Sequence, residues 1–443
     1  MITRRDAALG AVAAGGLAAL AARAARAAAR APVPFVRAEG RRFVLGGKPY
    51  RFAGANIWYG AYLGATGRDR LRRELDTLAG LGVTNLRVLG ASEISPLKNS
   101  LRPAFRGPRP PYNRKLLEGL DILLAEMGKR DMKAVIFLNN FWEWSGGMVT
   151  YLYWTNGGHY INLGDPAHPW PEFADFSAGF YASPKAVALS LDYAGALVGR
   201  TNSVNGVAYR DDPTIMAWEL ANEPRPGGSE EFARANLPAY YAWISQAARF
   251  IKARDPNHLV TTGNEGMMGS LNIEEAVVKA HSDPAIDYMT FHIWPLNWSW
   301  IDLKYLAATA PQAEAKARDY VALHVKIAQD LNKPLVAEEF GFPRDDGYDP
   351  SSPTTLRDRF YNVMFSAVVD SAKSGGPFVG TNFWAWGGAG RAQHKDYRML
   401  PGDTSYVGDP PQEPQGANSV FDSDASTLEL IRTHAATLKA ISA

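Results

Sequence analysis

Thr214-Ile215-Met216-Ala217-Trp218-Glu219-Leu220-Ala221-Asn222-Glu223-Pro224 and Pro334-Leu335-Val336-Ala337-Glu338-Glu339-Phe340-Gly341 share one build: a short apolar, β-prone run that ends on acids. Runs this short, apolar at both parities, suit strands buried on both faces, as in a parallel sheet. Comparable runs fall at residues 51–55, 84–89, 134–138, 215–220, 259–262, 288–291, 335–337 and 381–386. Helical periodicity occupies 68–81, 114–130, 184–200, 240–254, 312–331 and 356–374, weakens at 272–280, and closes the chain at 427–441. Eight strands alternating with helices predict an α/β chain folded as one (β/α)8 barrel, a TIM barrel. A doubly wound sheet is the competitor, but no Gly-x-Gly-x-x-Gly follows the first strand. Residues 35–44 and 48–51, separated by Gly46-Gly47, predict a small N-terminal hairpin. The connections 139–183 and 387–424 are long, rich in Gly, Pro, Asp and aromatics, and each follows a strand. Both are therefore expected on the catalytic face, where long structured loops build clefts.

The chain has 443 residues, 46% hydrophobic and 21% charged, an ordinary globular composition. With 47 basic and 45 acidic residues the formal charge is +2, and no basic face stands out, which argues against nucleic acid and against a polyanionic substrate. The absence of cysteine excludes disulfides, thiolate nucleophiles and Cys-based metal sites. No His-x-x-x-His or aspartate-ladder spacing occurs, so neither a catalytic metal nor a cofactor is expected. At the N-terminus, Thr3-Arg4-Arg5 precedes an Ala/Gly/Leu-rich run over 7–22, followed by small-x-small sites at Ala22-Arg23-Ala24 and Ala25-Arg26-Ala27. That pattern predicts an export signal over 1–31, with the Arg pair suggesting the twin-arginine route, and a single catalytic barrel over 32–443. The run is too short and too weakly apolar to span a membrane. A secreted or periplasmic monomer with no membrane anchor in its mature form is expected.

Carboxylates at the C-terminal tips of two barrel strands are what hydrolysis of a glycosidic bond needs, one as proton donor and one as nucleophile or base. Glu223 suits the donor if a nearby negative charge or burial keeps it protonated. Asn222, at the same tip, can hydrogen-bond the 2-hydroxyl of the sugar being cleaved. Glu338 and Glu339 compete for the second role. Strict strand alternation lets only one face the barrel axis, and Glu339 is nearer the tip. Gly341 would let the backbone pass closely under a ligand.

The motifs Asn222-Glu223-Pro224 and Glu339-Phe340-Gly341 resemble those of glycoside hydrolase family 5, the cellulase and mannanase family of retaining (β/α)8 enzymes. The likeness runs from Tyr50 to about Asp424. Gly54-Ala55-Asn56-Ile57-Trp58-Tyr59-Gly60, Asn139-Asn140-Phe141-Trp142, Phe291-His292-Ile293-Trp294-Pro295 and Asn382-Phe383-Trp384-Ala385-Trp386-Gly387 resemble its endo-β-1,4-mannanase branch. The resemblance implies Glu223 as acid/base and Glu339 as nucleophile. It also implies Arg87 as the arginine that orients the nucleophile, His292 and Trp294 as a sixth-strand pair, and Trp384 as the floor under the sugar. Cellulase-like members carry Tyr where Trp294 stands. Asn139-Asn140 replaces the His common at that tip in cellulases, which favours mannan and makes Asn140 a candidate contact. Trp58, Trp142, Trp144, Trp294, Trp298, Trp300 and Trp386 also fall at or after strand ends, where indole faces can stack on sugar CH groups. Trp218 and Trp243 are read as core.

These readings predict a secreted retaining hydrolase of β-1,4-mannosidic bonds in mannan, glucomannan or galactomannan, acting on a neutral β-linked polysaccharide. A β-1,4-glucanase, an exo-acting β-mannosidase whose two long loops block one end of the cleft, and a non-catalytic carbohydrate-binding barrel are the alternatives.

Overall fold

The structure, a computed structural model, describes residues 34–442, so the expected export segment lies outside the described residues. Three short antiparallel strands come first: β1 (Arg37–Glu39), β2 (Arg42–Leu45) and β3 (Lys48–Tyr50). The first of the two segments expected to form a hairpin itself divides at Gly40, whose φ of 58° makes an extra turn, so the element is a three-stranded meander. Its apolar side closes the bottom of the barrel. Val36 and Phe43 pack against Phe52, Val135, Leu259, Val336 and Val379, and Phe43 meets the Tyr288 ring edge-on at 5.2 Å.

Eight parallel strands follow: β4 (Phe52–Asn56), β5 (Asn85–Leu89), β6 (Lys133–Phe137), β7 (Ile215–Glu219), β8 (Leu259–Thr261), β9 (Met289–Ile293), β10 (Leu335–Phe340) and β11 (Phe378–Phe383). They pair in chain order, and β11 returns to β4 with Asn382 opposite Gly54, so the sheet curls into the expected (β/α)8 barrel. Every strand residue is buried, which accounts for the continuous apolar runs. The β8/β9 seam is closed by single bonds rather than a ladder: Asp287 N donates to Val260 O at 2.8 Å, and Thr261 Oγ1 to Tyr288 O at 3.0 Å.

The helices are α1 (Gly60–Thr66), α2 (Arg68–Gly80), α3 (Arg114–Gly128), α4 (Gly147–Thr155), α5 (Glu172–Ala178), α6 (Pro184–Val198), α7 (Glu230–Lys252), α8 (Glu274–Ser282), α9 (Leu306–Leu331), α10 (Thr355–Ser374) and α11 (Ala425–Ser442). Helix α7 starts ten residues before its periodic segment. Ser229 caps it by accepting from Phe232 N, and two acids in the first turn complement the helix dipole, which together outweigh the interior Pro238. The 139–183 connection carries α4 and α5, and the 387–424 connection is tied down by buried charge. Arg344 bonds Asp424 at 2.7 Å, while Asp409 accepts from Gly416 N and Asn418 N, each at 2.7 Å. Among the described residues no helix is long and apolar enough to cross a membrane.

Because Phe43 is fully enclosed by the bottom layer, Phe43→Ala should cost about 3–5 kcal/mol of unfolding free energy, read from urea denaturation, with the upper face unaffected.

Candidate active site

The upper half of the barrel is polar, and its centre is Arg87 on β5, which has no exposed surface. Its Nε and Nη2 donate to the two oxygens of Glu219 at 2.7 and 2.6 Å, a fork-on-fork pair. Nη2 also donates to Asn222 Oδ1 at 2.7 Å, and Nη1 to Asn56 Oδ1 at 3.1 Å. The remaining Nη1 bond goes to Glu339 Oε1. Burial works against the guanidinium charge, but Glu219 and Glu339 outweigh it and raise its affinity for the proton.

Glu223 sits past the tip of β7 with φ at 51°, a left-handed conformation uncommon outside glycine and often found at functional sites. Two backbone bonds hold it there. Asn222 N donates to Asn139 O at 2.9 Å and Glu223 N to Gly263 O at 3.0 Å. Gly263 is required at that crossing, since its φ is 76° and a Cβ would stand 2.0 Å from Ala221 O. Around the carboxyl, Trp142 Nε1 donates to Oε2, Trp294 Nε1 to Oε1 at 3.1 Å, and His292 Nδ1 lies 2.7 Å from Oε1. His292 Nδ1 is also 3.3 Å from Glu339 Oε2, so one imidazole touches both acids. Burial, the Arg87 charge and Arg225 together hold this histidine well below its usual protonation range, in the neutral form.

Carboxylate oxygens of Glu223 and Glu339 and a ring nitrogen of His292 lie within 4.8 Å of one another. A divalent cation could bridge such a set, but the hydrogen bonds just described account for the arrangement without one. Burial raises both carboxyls above the usual glutamate range, and the Glu223 charge raises Glu339 further. Their surroundings differ: Arg87 bonds Glu339 directly, whereas Arg225, which draws Glu223 down through space, spends its hydrogen bonds on Glu265 at 2.5 and 2.7 Å. Of the two, Glu339 is the one that takes a charged hydrogen bond, the surroundings that favour an ionised carboxylate.

Both acids open into a cavity of about 530 Å³, the size of a small-ligand site. Of the residues singled out from sequence, Asn222, Glu223, Glu339, Trp142, Trp294 and Trp384 line it, as do Trp144 and Trp298. Arg87, Asn140, His292 and Trp58 stand behind the wall. Asn140 is buried, accepting from Asn222 Nδ2 at 3.0 Å and Trp142 N at 3.0 Å, so it props the two tips. Trp58 donates to Gly408 O at 2.8 Å and meets the Trp144 ring edge-on at 5.9 Å, anchoring the 387–424 loop. Trp386 is likewise internal, donating to Glu74 at 2.6 Å, and Trp218 and Trp243 are core. Gly341 makes room for the Trp294 ring rather than for a ligand, since its Cβ would fall 2.7 Å from that indole.

The parity argument between Glu338 and Glu339 requires correction. A bulge between Ala337 and Glu339 in the pairing with β9 breaks the alternation, and both side chains turn inward. Glu339 reaches the cavity, whereas Glu338 lies below it, accepting from Tyr288 Oη at 3.0 Å.

Sequence reading missed Trp170, Arg225, Glu265, Asn297, Gln412 and Glu413, all of which line the cavity. Glu265 just follows β8 and the strand-tip rule would have found it. Gln412 and Glu413 lie deep in a long connection with no local pattern to mark them. Arg225 sits over the Trp142 ring at 4.9 Å and the Trp170 ring at 5.9 Å, making a flat cationic and aromatic wall. Trp384 Nε1, Gln412 Oε1 and Glu413 Oε2 are buried without a protein partner, one donor and two acceptors suited to a polyhydroxy ligand. Glu413 is pushed up to about 8 by burial and by the Asp409 and Glu223 charges.

Two acids at the tips of β7 and β10, in an indole-lined cavity of a (β/α)8 barrel, define a glycoside hydrolase. The sequence family described as GH family 5 beta-mannosidase-like matches residues 33–443. The chain belongs to glycoside hydrolase family 5. It is similar to the crystal structure of a glycoside hydrolase family 5 mannosidase from Rhizomucor miehei, at 36% identity and a TM-score of 0.83 over 93% of this chain and 99% of that one. Mannan endo-1,4-beta-mannosidase 1 of Oryza sativa subsp. japonica is 29% identical over 428 residues, 92% of this chain and 87% of the relative. The endo-1,4-beta-mannanase of Rhizomucor miehei shares the fold, with a TM-score of 0.66 at 24% identity over 92% of this chain and 99% of that one.

Arg87→Lys keeps a charge but loses the forked contact, so kcat/KM should fall about 100-fold or more while KM changes less. A proton donor at Glu223 meets the substrate uncharged, so Glu223→Gln replaces one neutral group by another. The acid limb of kcat/KM, measured with an aryl glycoside whose leaving group needs no proton, should therefore stay in place, while the alkaline limb moves to higher pH.

Proposed function

We propose that the enzyme hydrolyses β-1,4-mannosidic bonds with retention of configuration. The observation that carries this is the close approach of Glu223 and Glu339, one oxygen of each lying within 4.8 Å of the other, combined with their unequal surroundings. Retaining enzymes place the two carboxyls about 5–5.5 Å apart, too close for a water to enter between them. Glu339, ionised against Arg87, attacks the anomeric carbon while Glu223 protonates the departing oxygen. Water then attacks the same anomeric carbon and displaces the Glu339 carboxylate, with Glu223 taking its proton. Trp384 lies under the sugar that becomes attached to Glu339. Mannose as the sugar is supported by the relatives' names and by a mutant of the Rhizomucor miehei mannosidase solved in complex with mannosyl-fructose. The Arg pair and the Ala/Gly/Leu-rich run over 1–31 support reading that segment as an export signal, which would carry the activity outside the cytoplasm.

A second reading concerns where the chain is cut. Loop residues from both long connections line the cavity, Trp144, Leu163 and Trp170 from one and Pro410, Gln412 and Glu413 from the other. That enclosure favours release of single mannose units from chain ends over the internal cutting named for the plant relatives.

With mannohexaose the early products should be mannose and mannopentaose, whereas a spread of mannobiose and mannotriose would return the assignment to endo action. Glu339→Ala and Glu223→Ala should each lower kcat by about 10²–10⁴-fold or more. Azide added to the first should give α-mannosyl azide and to the second β-mannosyl azide. Failure of either variant to lose activity would remove that residue from the mechanism.

A further inference from the structure

Glu338 is a buried acid for which the double-displacement reading has no use. It is 1% exposed, turned into the barrel by the bulge, and fixed at its backbone by Asn56 Nδ2, which donates to its carbonyl at 2.8 Å. Tyr288 Oη donates to Oε1, but Oε2 has no partner. The nearest cation is Arg87, whose Nε lies 4.0 Å from Oε2. None of the five guanidinium N–H groups is free to meet it. They are taken by two bonds to Glu219 and one each to Asn222, Asn56 and Glu339.

The ionisable groups facing Glu338 are Arg87 and Glu219 across the barrel, Tyr288 beside β9, and Glu339 next in the chain. One cation with two hydrogen-bonded carboxylates already leaves a net negative charge among fully buried side chains. A third carboxylate there, lacking an N–H bond, has nothing to offset the loss of its hydration. Burial and the Glu219 charge accordingly push Glu338 well above the glutamate range, with only partial relief from Arg87 and Tyr288.

We propose that Glu338 is kept as the neutral acid against Tyr288, filling the barrel beneath Arg87 and leaving the guanidinium charge to Glu219 and Glu339. The proposal rests on Glu339 being the nucleophile. If Glu338 were ionised it would compete for Arg87, pull the fork downward and raise the proton affinity of Glu339.

Infrared spectra of the wild type at its activity optimum should contain a neutral-carboxyl C=O band that is lost in Glu338→Gln. Tyr288→Phe, which removes the donor to Oε1, should shift that band without deleting it, an assignment that does not depend on the Gln variant folding. In Glu338→Gln the acid limb of kcat/KM should stay in place and its maximum within about twofold, since one neutral group replaces another. No lost or shifted band, or an acid limb lowered by about 1 unit or more, would mean that an ionised neighbour had been removed and would overturn the proposal. The nucleophile is checked separately by trapping wild type with a 2-fluoro mannosyl fluoride and mapping the labelled peptide. A label away from Glu339 would sink that reading while the infrared result still reports the state of Glu338.

Discussion

The upper barrel depends on one buried guanidinium. Arg87 reaches from β5 across the interior and ties Glu219 on β7, Asn222 just beyond it, Asn56 on β4 and Glu339 on β10 into one unit. A cation so deeply buried is costly unless all its N–H groups find acceptors, and here they do. The same saturation gives the two candidate catalytic acids different characters. Glu339 receives a charged bond, and Glu223 receives the neutral indole N–H groups of Trp142 and Trp294 beside the His292 ring. Two otherwise identical side chains can thus hold opposite protonation states a few ångströms apart.

Around that unit the fold divides its labour by height. The lower interior is apolar and plugged by the N-terminal meander, which stabilises without contributing to the cavity. The upper interior is polar and rigid, and the two long connections build walls on it. Trp58 and Trp386 show how those walls are held: both indoles point into protein, one to Gly408 O and one to Glu74. They make the loops part of the scaffold rather than mobile flaps. The indoles left facing the cavity are those of Trp142, Trp144, Trp170, Trp294, Trp298 and Trp384, with Arg225 stacked on the first and third.

Much of this was legible in the chain because burial on both faces writes an unmistakable signal. All eight strands lie within a few residues of their apolar runs, and Glu223, Glu339, Asn222, Trp142, Trp294 and Trp384 converge on one cavity as their strand-tip positions imply. What escaped has physical reasons. Helix α7 begins before its periodic segment because capping by Ser229 is local chemistry that amphipathic spacing does not register. The bulge at Glu338 defeats a parity rule, since one extra residue turns two consecutive acids to the same side. Asn140, His292 and Trp58 stand one layer behind the cavity, a distinction of a few ångströms that strand position alone does not carry. Gln412 and Glu413 arrive through a loop fixed by Asp409 and Arg344, long-range contacts with no local pattern.

The central claim is that Glu339 and Glu223 act as nucleophile and acid/base on one sugar, and its most direct test is the anomer first released. Proton NMR of an aryl β-mannoside turning over with enough enzyme to outrun mutarotation should show β-mannose appearing first and α-mannose growing in later. If α-mannose is the first product, the enzyme inverts, a water must fit between the two carboxyls, and the account given for Arg87 and the Glu223–Glu339 pair is wrong.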